Sequence, residues 1–111
     1  MANFNYDEEG DIFTIDISSK KAYLSLEVSP DLIVDLAANH QLTGIELLNA
    51  SEVLSKLFGI NIKKSELHKI HCAINQDAIE NNEGLYATFK LGEKTAKVLI
   101  PTNYESPIVS G

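Results

Sequence analysis

The chain has 111 residues, a length that suits one domain with one modest core. Its apolar fraction of 44% is ordinary for a folded soluble protein and excludes a disordered chain. Sixteen acidic residues against nine basic ones give a net charge of −7, and all nine cations are Lys, with no Arg. That balance argues against non-specific nucleic-acid binding, which needs Lys and Arg to neutralise phosphates. It disfavours an anionic membrane surface for the same reason.

Residues Asn3 to Asp7 read as a short strand and Asp11 to Ile17 as a second. Phe13, Ile15 and Ile17 alternate with Ile12, Thr14 and Asp16, a period of two that marks a strand. Glu8-Glu9-Gly10 suits the turn between them, with Gly10 free to take positive φ. A third strand, Ala22 to Val28, sets Leu24, Leu26 and Val28 on one face and Tyr23, Ser25 and Glu27 on the other. The Ser29-Pro30-Asp31 turn leads to a fourth strand over Leu32 to Ala37. A turn at Asn39-His40-Gln41 then joins it to a fifth strand, Leu42 to Leu48, which closes a β meander.

Asn49-Ala50-Ser51-Glu52 reads as a helix start. Asn49 or Ser51 is placed to accept from exposed backbone N–H groups, and with Asn49 as the cap Glu52 falls three residues on, as in a capping box. Val53, Leu54, Leu57 and Phe58 form an apolar side, and Gly59 is a natural stop. Residues 66–75 fit both a helix, with Ser65 as cap, and a strand through Ile70, Cys72 and Ile74. The strand is favoured because two clear strands follow and each needs a partner. Those are Leu85 to Leu91 and Thr95 to Pro101, joined at Gly92-Glu93-Lys94. Asp77 to Gly84 reads as a loop and Thr102 to Gly111 as a tail without periodicity.

The expected fold is therefore α+β: a mostly antiparallel meander or sheet, in one or two layers, with one short helix after the fifth strand. No Pro/Gly/Ser-rich linker separates the halves, so residues 1–111 are expected to share one core.

Tyr6-Asp7, Asp11 and the run Gly44-Ile45-Glu46-Leu47-Leu48-Asn49-Ala50-Ser51 resemble a small prokaryotic family, DUF2283, over about residues 3–58. Leu47 replaces the family's usual Ile, and the turn at Asn39-His40-Gln41 departs from its Asp-rich, Gly-containing turn. The resemblance brings no catalytic residues with it. Some family members lie beside small toxin-like genes, which suggests an antitoxin-like binding role. Residues 60–111 extend beyond the resemblance.

By strand parity Asp16, Glu27, Asp35 and Glu46 lie opposite the core-pointing positions. Such residues on neighbouring strands come within reach of one another and suit a Lys-rich partner or a hard cation. The plainer account is a solvated outer face, since a one-residue slip in register scatters the set. The acidic turn Asp7, Glu8, Glu9 and Asp11 lacks the ligand spacing of a calcium loop and reads as a solvated turn. His68, His71 and Cys72 are the close trio of soft ligands. Zinc needs three or four ligands, and Cys72 between apolar neighbours reads as core rather than as a nucleophile. Tyr86, Phe89 and Lys90 read as sheet packing rather than as a base-stacking platform, which also needs a positive groove.

No phosphate loop, Gly-x-Ser-x-Gly or His-Glu-x-x-His is found. The single cysteine permits no internal disulfide, and the start of the chain lacks the basic and apolar regions of a signal peptide. These features point to a cytoplasmic, non-catalytic domain with no cofactor and no metal. It binds a protein partner or itself, as a homodimer, through a sheet edge or face. The rival is a small-ligand or divalent-cation domain that uses the acidic face. A hydrolase would need His68, His71 and Cys72 to converge.

Overall fold

A computed structural model describes residues 3–39, 41–74 and 85–100. It is α+β. In chain order it has β1 (Asn3–Asp7), β2 (Ile12–Asp16), β3 (Leu24–Ser29), β4 (Leu32–Leu36), β5 (Leu42–Leu47), α1 (Ala50–Phe58), a 3₁₀ helix (Lys64–Lys69), β6 (His71–Ile74), β7 (Leu85–Leu91) and β8 (Lys94–Ile100). The expected turn residue His40, the loop over residues 77–84 and the tail over residues 102–111 lie outside the described residues.

The strands form two antiparallel sheets, one of five strands in the order β1-β2-β5-β4-β3 and one of three in the order β6-β7-β8. The larger sheet is antiparallel as expected, but its strands do not follow chain order. β5 returns to pair with β2, Ile15 opposite Ile45, and so lies between β2 and β4. The physical reason is burial: Ile45 and Leu47 are as apolar as any central strand requires, and the central place covers both of their flanks.

One hydrophobic cluster joins the two sheets and the helix. Tyr6, Phe13, Ile15, Val34, Leu36, Ile45 and Leu47 come from the five-stranded sheet, Leu54 from α1, and Cys72, Ala87, Phe89 and Ile100 from the three-stranded sheet. Phe13 meets Phe89 edge to face, with ring centroids 5.5 Å apart, in a geometry aromatic pairs favour.

The ambiguous segment divides. Residues 64–69 form the 3₁₀ helix and residues 71–74 the strand, with buried Leu67, Ile70 and Cys72 spanning the change. Its start is not Ser65: the Lys63 N–H donates to Glu66 Oε1 at 3.2 Å. Ser55 on α1 holds the preceding loop, accepting from the Ile62 N–H at 2.8 Å. α1 ends where expected: Gly59 takes φ 72°, and its N–H donates to the Ser55 carbonyl at 2.9 Å.

Candidate functional site

Three of the residues that carry the family resemblance, Tyr6, Ala50 and Ser51, meet at a fourth, Asp11. It closes the β1–β2 turn in the left-handed conformation, φ 56°, a region Asp and Asn enter more readily than other side chains. Gly10 has no positive φ; a Cβ there would come within 2.8 Å of the Asp7 carboxylate, so the turn needs its small size instead. Asp11 Oδ1 accepts from Tyr6 Oη at 2.6 Å and from the Ser51 N–H at 3.0 Å, and Oδ2 accepts from Ser51 Oγ at 2.6 Å. The Asp11 carbonyl accepts from the Ala50 N–H at 3.0 Å.

Asp11 thus caps α1 from forty positions upstream. Its negative charge sits at the helix N-terminus, where free N–H groups and the helix dipole favour it. The expected local cap is not made. Asn49 takes φ 50° and its side chain donates to Asp31 Oδ1 at 3.0 Å, while Glu52 pairs with Lys56 at 3.5 Å. Asp11 supplies those bonds in their place.

Burial opposes ionisation of Asp11, but the bonds from Ser51 and Tyr6, with the charge of Lys64, outweigh it and hold the carboxyl below its usual range. Burial, reinforced by the bond to Asp11 and its charge, pushes the Tyr6 phenol up. The Asp11 carboxylate accepts three bonds in all, two at Oδ1 and one at Oδ2. This constellation holds the fold.

The four acidic residues singled out by parity do share the outer face of the five-stranded sheet. Asp16 and Asp35 both stand opposite Gly44, on either side of the central strand. A Cβ at residue 44 would meet the Ile15 carbonyl at 3.2 Å, Asp35 Oδ2 at 3.4 Å and Asp16 Oδ1 at 3.9 Å, so both carboxylates lean over the glycine. Glu46 and Glu27 lie in the next row, each opposite Ile33, which separates them. Asp35 Oδ1 accepts from Ser25 Oγ at 2.6 Å. Burial and then the charge of Asp35 hold the Glu46 carboxyl above its usual range. Among the described residues, no three His, Cys, Asp or Glu side chains stand close enough to hold a metal ion.

The soft-ligand trio is dispersed. Cys72 is buried opposite Phe89, and burial pushes its thiol up to about 12. Such a thiol carries almost no thiolate at neutral pH. His71 is exposed and meets the Phe4 ring edge-on at 5.9 Å. His68 sits on the 3₁₀ helix, with Nε2 3.2 Å from Glu8 Oε1 and its ring 5.1 Å from that of Tyr6. Next to His68 a cleft of about 190 Å³ opens between β1 and the 3₁₀ helix.

The fold and site define a two-sheet α+β domain in which a buried aspartate ties the first hairpin to the helix. Residues 3–51 match the model of DUF2283, described as a protein of unknown function, and form a DUF2283 domain. The match begins where the resemblance does and stops at Ser51, within the first turn of α1, short of residue 58. No curated protein and no solved structure matches the chain. Among the described residues, no helix is long and apolar enough to cross a membrane.

Sequence reading placed the acidic face but missed the Asp11 cap. Parity locates a side chain on a face, whereas Asp11 acts from a turn, across a distance in sequence that no local pattern spans. The available signal was the joint presence of Tyr6, Asp11 and Ser51 in one family pattern.

Proposed function

We propose that the protein is a cytosolic, non-catalytic interaction domain whose partner is a protein with a basic surface. The observation that carries this reading is the outer face of the five-stranded sheet. It holds Asp16, Glu27, Asp35 and Glu46, and no Lys lies on the paired strands of that sheet. The upward shift of Glu46 supports it further, because keeping that carboxylate charged beside Asp35 costs folding stability. A charged face of one sign speeds encounter with a complementary surface and rejects acidic ones. An antitoxin-like role would use the face in this way against a basic toxin, and a second copy of the chain is the other protein such a domain serves.

Affinity capture from the native host at low salt tests the reading, with wild type compared against an Asp16→Asn/Asp35→Asn double variant. A specific protein should be retained by wild type, released by salt and lost from the variant. Retention of nothing, or equal retention by both, contradicts it. Ca²⁺ and Mg²⁺ should leave the melting temperature unchanged; a rise would favour the cation-binding alternative, since a ligand of the native state stabilises by mass action.

A further inference from the structure

The two sheets present four edges, and three are blunted by devices that natural sheets use against stray pairing. β3 has a register shift between Glu27 and Ser29 and runs straight into Pro30. β6 is only four residues long. β8 carries exposed Lys94 and Lys97. β1 has none of these: its five residues stay in unbroken register with β2 and include neither Lys nor Pro. Among the described residues, no backbone hydrogen bond from outside β2 reaches β1.

The cleft of about 190 Å³ opens beside this edge. Its floor is Phe13, Leu67 and Ile70, all buried, and its walls are Phe4, Asn5, Tyr6 and His68, with Phe4, Asn5 and His68 exposed at the rim. Side chains alternate along a strand. A strand laid against β1 therefore turns every second side chain toward the layer that holds Phe4 and Tyr6, where the cleft lies. The volume suits one such side chain, since a cavity of about 150 Å³ takes a benzene molecule.

We propose that the β1 edge and this cleft form a docking site for an extended peptide segment of a partner protein. The segment pairs its backbone with Asn3–Asp7 and buries one side chain of Leu, Met or Phe size in the cleft, a mode in which main-chain bonds give affinity and the cavity gives selectivity. Charge defines the rest of the segment. Asp7 ends the edge, Glu8 and Glu9 follow it, Glu8 reaches the rim at His68, and no Lys lines the cleft. Lys or Arg residues flanking the apolar anchor answer those carboxylates. A second copy's β1 has no cation to offer them, so the occupant is a different protein. This rests on the protein-binding reading above and deepens it by naming the edge and the kind of segment.

The test is selection from a displayed library of random octapeptides on the intact chain. The best-enriched peptide is then titrated against wild type, Asn5→Lys, His68→Trp, Lys97→Gln and the Asp16→Asn/Asp35→Asn double variant. Asn5 and His68 are exposed, so the first two variants leave the core intact while blunting the edge and filling the cleft. Enriched peptides should carry one large apolar residue flanked by Lys or Arg, and binding should slow hydrogen exchange at β1 amides. Both edge variants should weaken binding by about tenfold or more, with Lys97→Gln, at an exposed residue of the other sheet, within about twofold of wild type. If His68→Trp fails to fold, Asn5→Lys and the exchange pattern decide the question. The proposal is overturned by no enrichment, by equal binding to Asn5→Lys, or by a wild-type dimer that Asn5→Lys converts to monomer, which assigns the edge to a second copy. Binding lost only in the double variant would also overturn it, while leaving the broader interaction reading standing.

Discussion

The two sheets share a core but present opposite charge outward. The five-stranded sheet shows Asp16, Glu27, Asp35 and Glu46, whereas the three-stranded sheet shows Lys90 and Lys97, with Tyr86 opposite Leu99 on the same face. Strand alternation explains how: each strand sends one set of side chains into the shared core and leaves the other free to vary. The family match also separates the sheets. The matched domain ends at Ser51, so it contains the whole larger sheet and none of the smaller one. Yet Phe13, fully buried, packs on Phe89 of the smaller sheet. The family-matched part has a core face that the rest of the chain completes, and its Tyr6, Asp11 and Ser51 cap the helix.

That dependence can be broken most severely by removing residues 60–111. The fragment would expose Phe13, Ile15 and Ile45, and should lose cooperative thermal unfolding and bind a hydrophobic dye. A fragment that melts cooperatively as a monomer would show the larger sheet to be self-sufficient. A milder break is Phe13→Ala at the contact between the sheets. It should cost about 3–5 kcal/mol in denaturant unfolding, the range for deleting a buried aromatic ring; a cost under about 1 kcal/mol would mean that the sheets barely rely on one another.

Glu46→Gln sharpens the comparison on the acidic side, with the smallest effect. Because the folded state holds Glu46 above its usual range, ionisation of Glu46 weakens the wild type at neutral pH. The variant should therefore be slightly more stable there, by about 0.5 kcal/mol or less, and the gap should close as pH falls through the folded-state pKa of Glu46. A destabilised variant would show that the carboxylate is held by favourable contacts instead.

Much of the outer surface was readable from alternation alone. Phe13 and Ile15 inside with Thr14 and Asp16 outside requires only a period of two, and the outward placement of Asp16, Glu27, Asp35 and Glu46 follows from it. Which strands become neighbours does not follow, because pairing β5 with β2 depends on burial summed over the whole core. Residues 64–74 were ambiguous because Leu67, Ile70 and Cys72 satisfy both periods, and the chain uses a turn of 3₁₀ helix before the strand. The Asp11 cap was hidden because a local candidate, Asn49, occupied the expected position. The left-handed backbone of Asn49 and its bond to Asp31 leave the helix N-terminus to a carboxylate from another hairpin.

The central claim is that Tyr6, Asp11 and Ser51 build this cap. Asp11→Asn tests it most directly, since Asn accepts the left-handed conformation and nearly the same shape while removing the charge. Unfolding of wild type and variant should be compared from neutral pH downward. Asp11 is held below its usual range when folded, so its ionised form adds stability above the unfolded-state pKa, and that stability fades as pH falls through the folded-state value. The variant should lose about 1.5–3 kcal/mol at neutral pH, the range for hydrogen bonds to a charged group, and the difference should shrink at acidic pH. Equal stability at neutral pH, or a deficit that does not change with pH, would contradict the account.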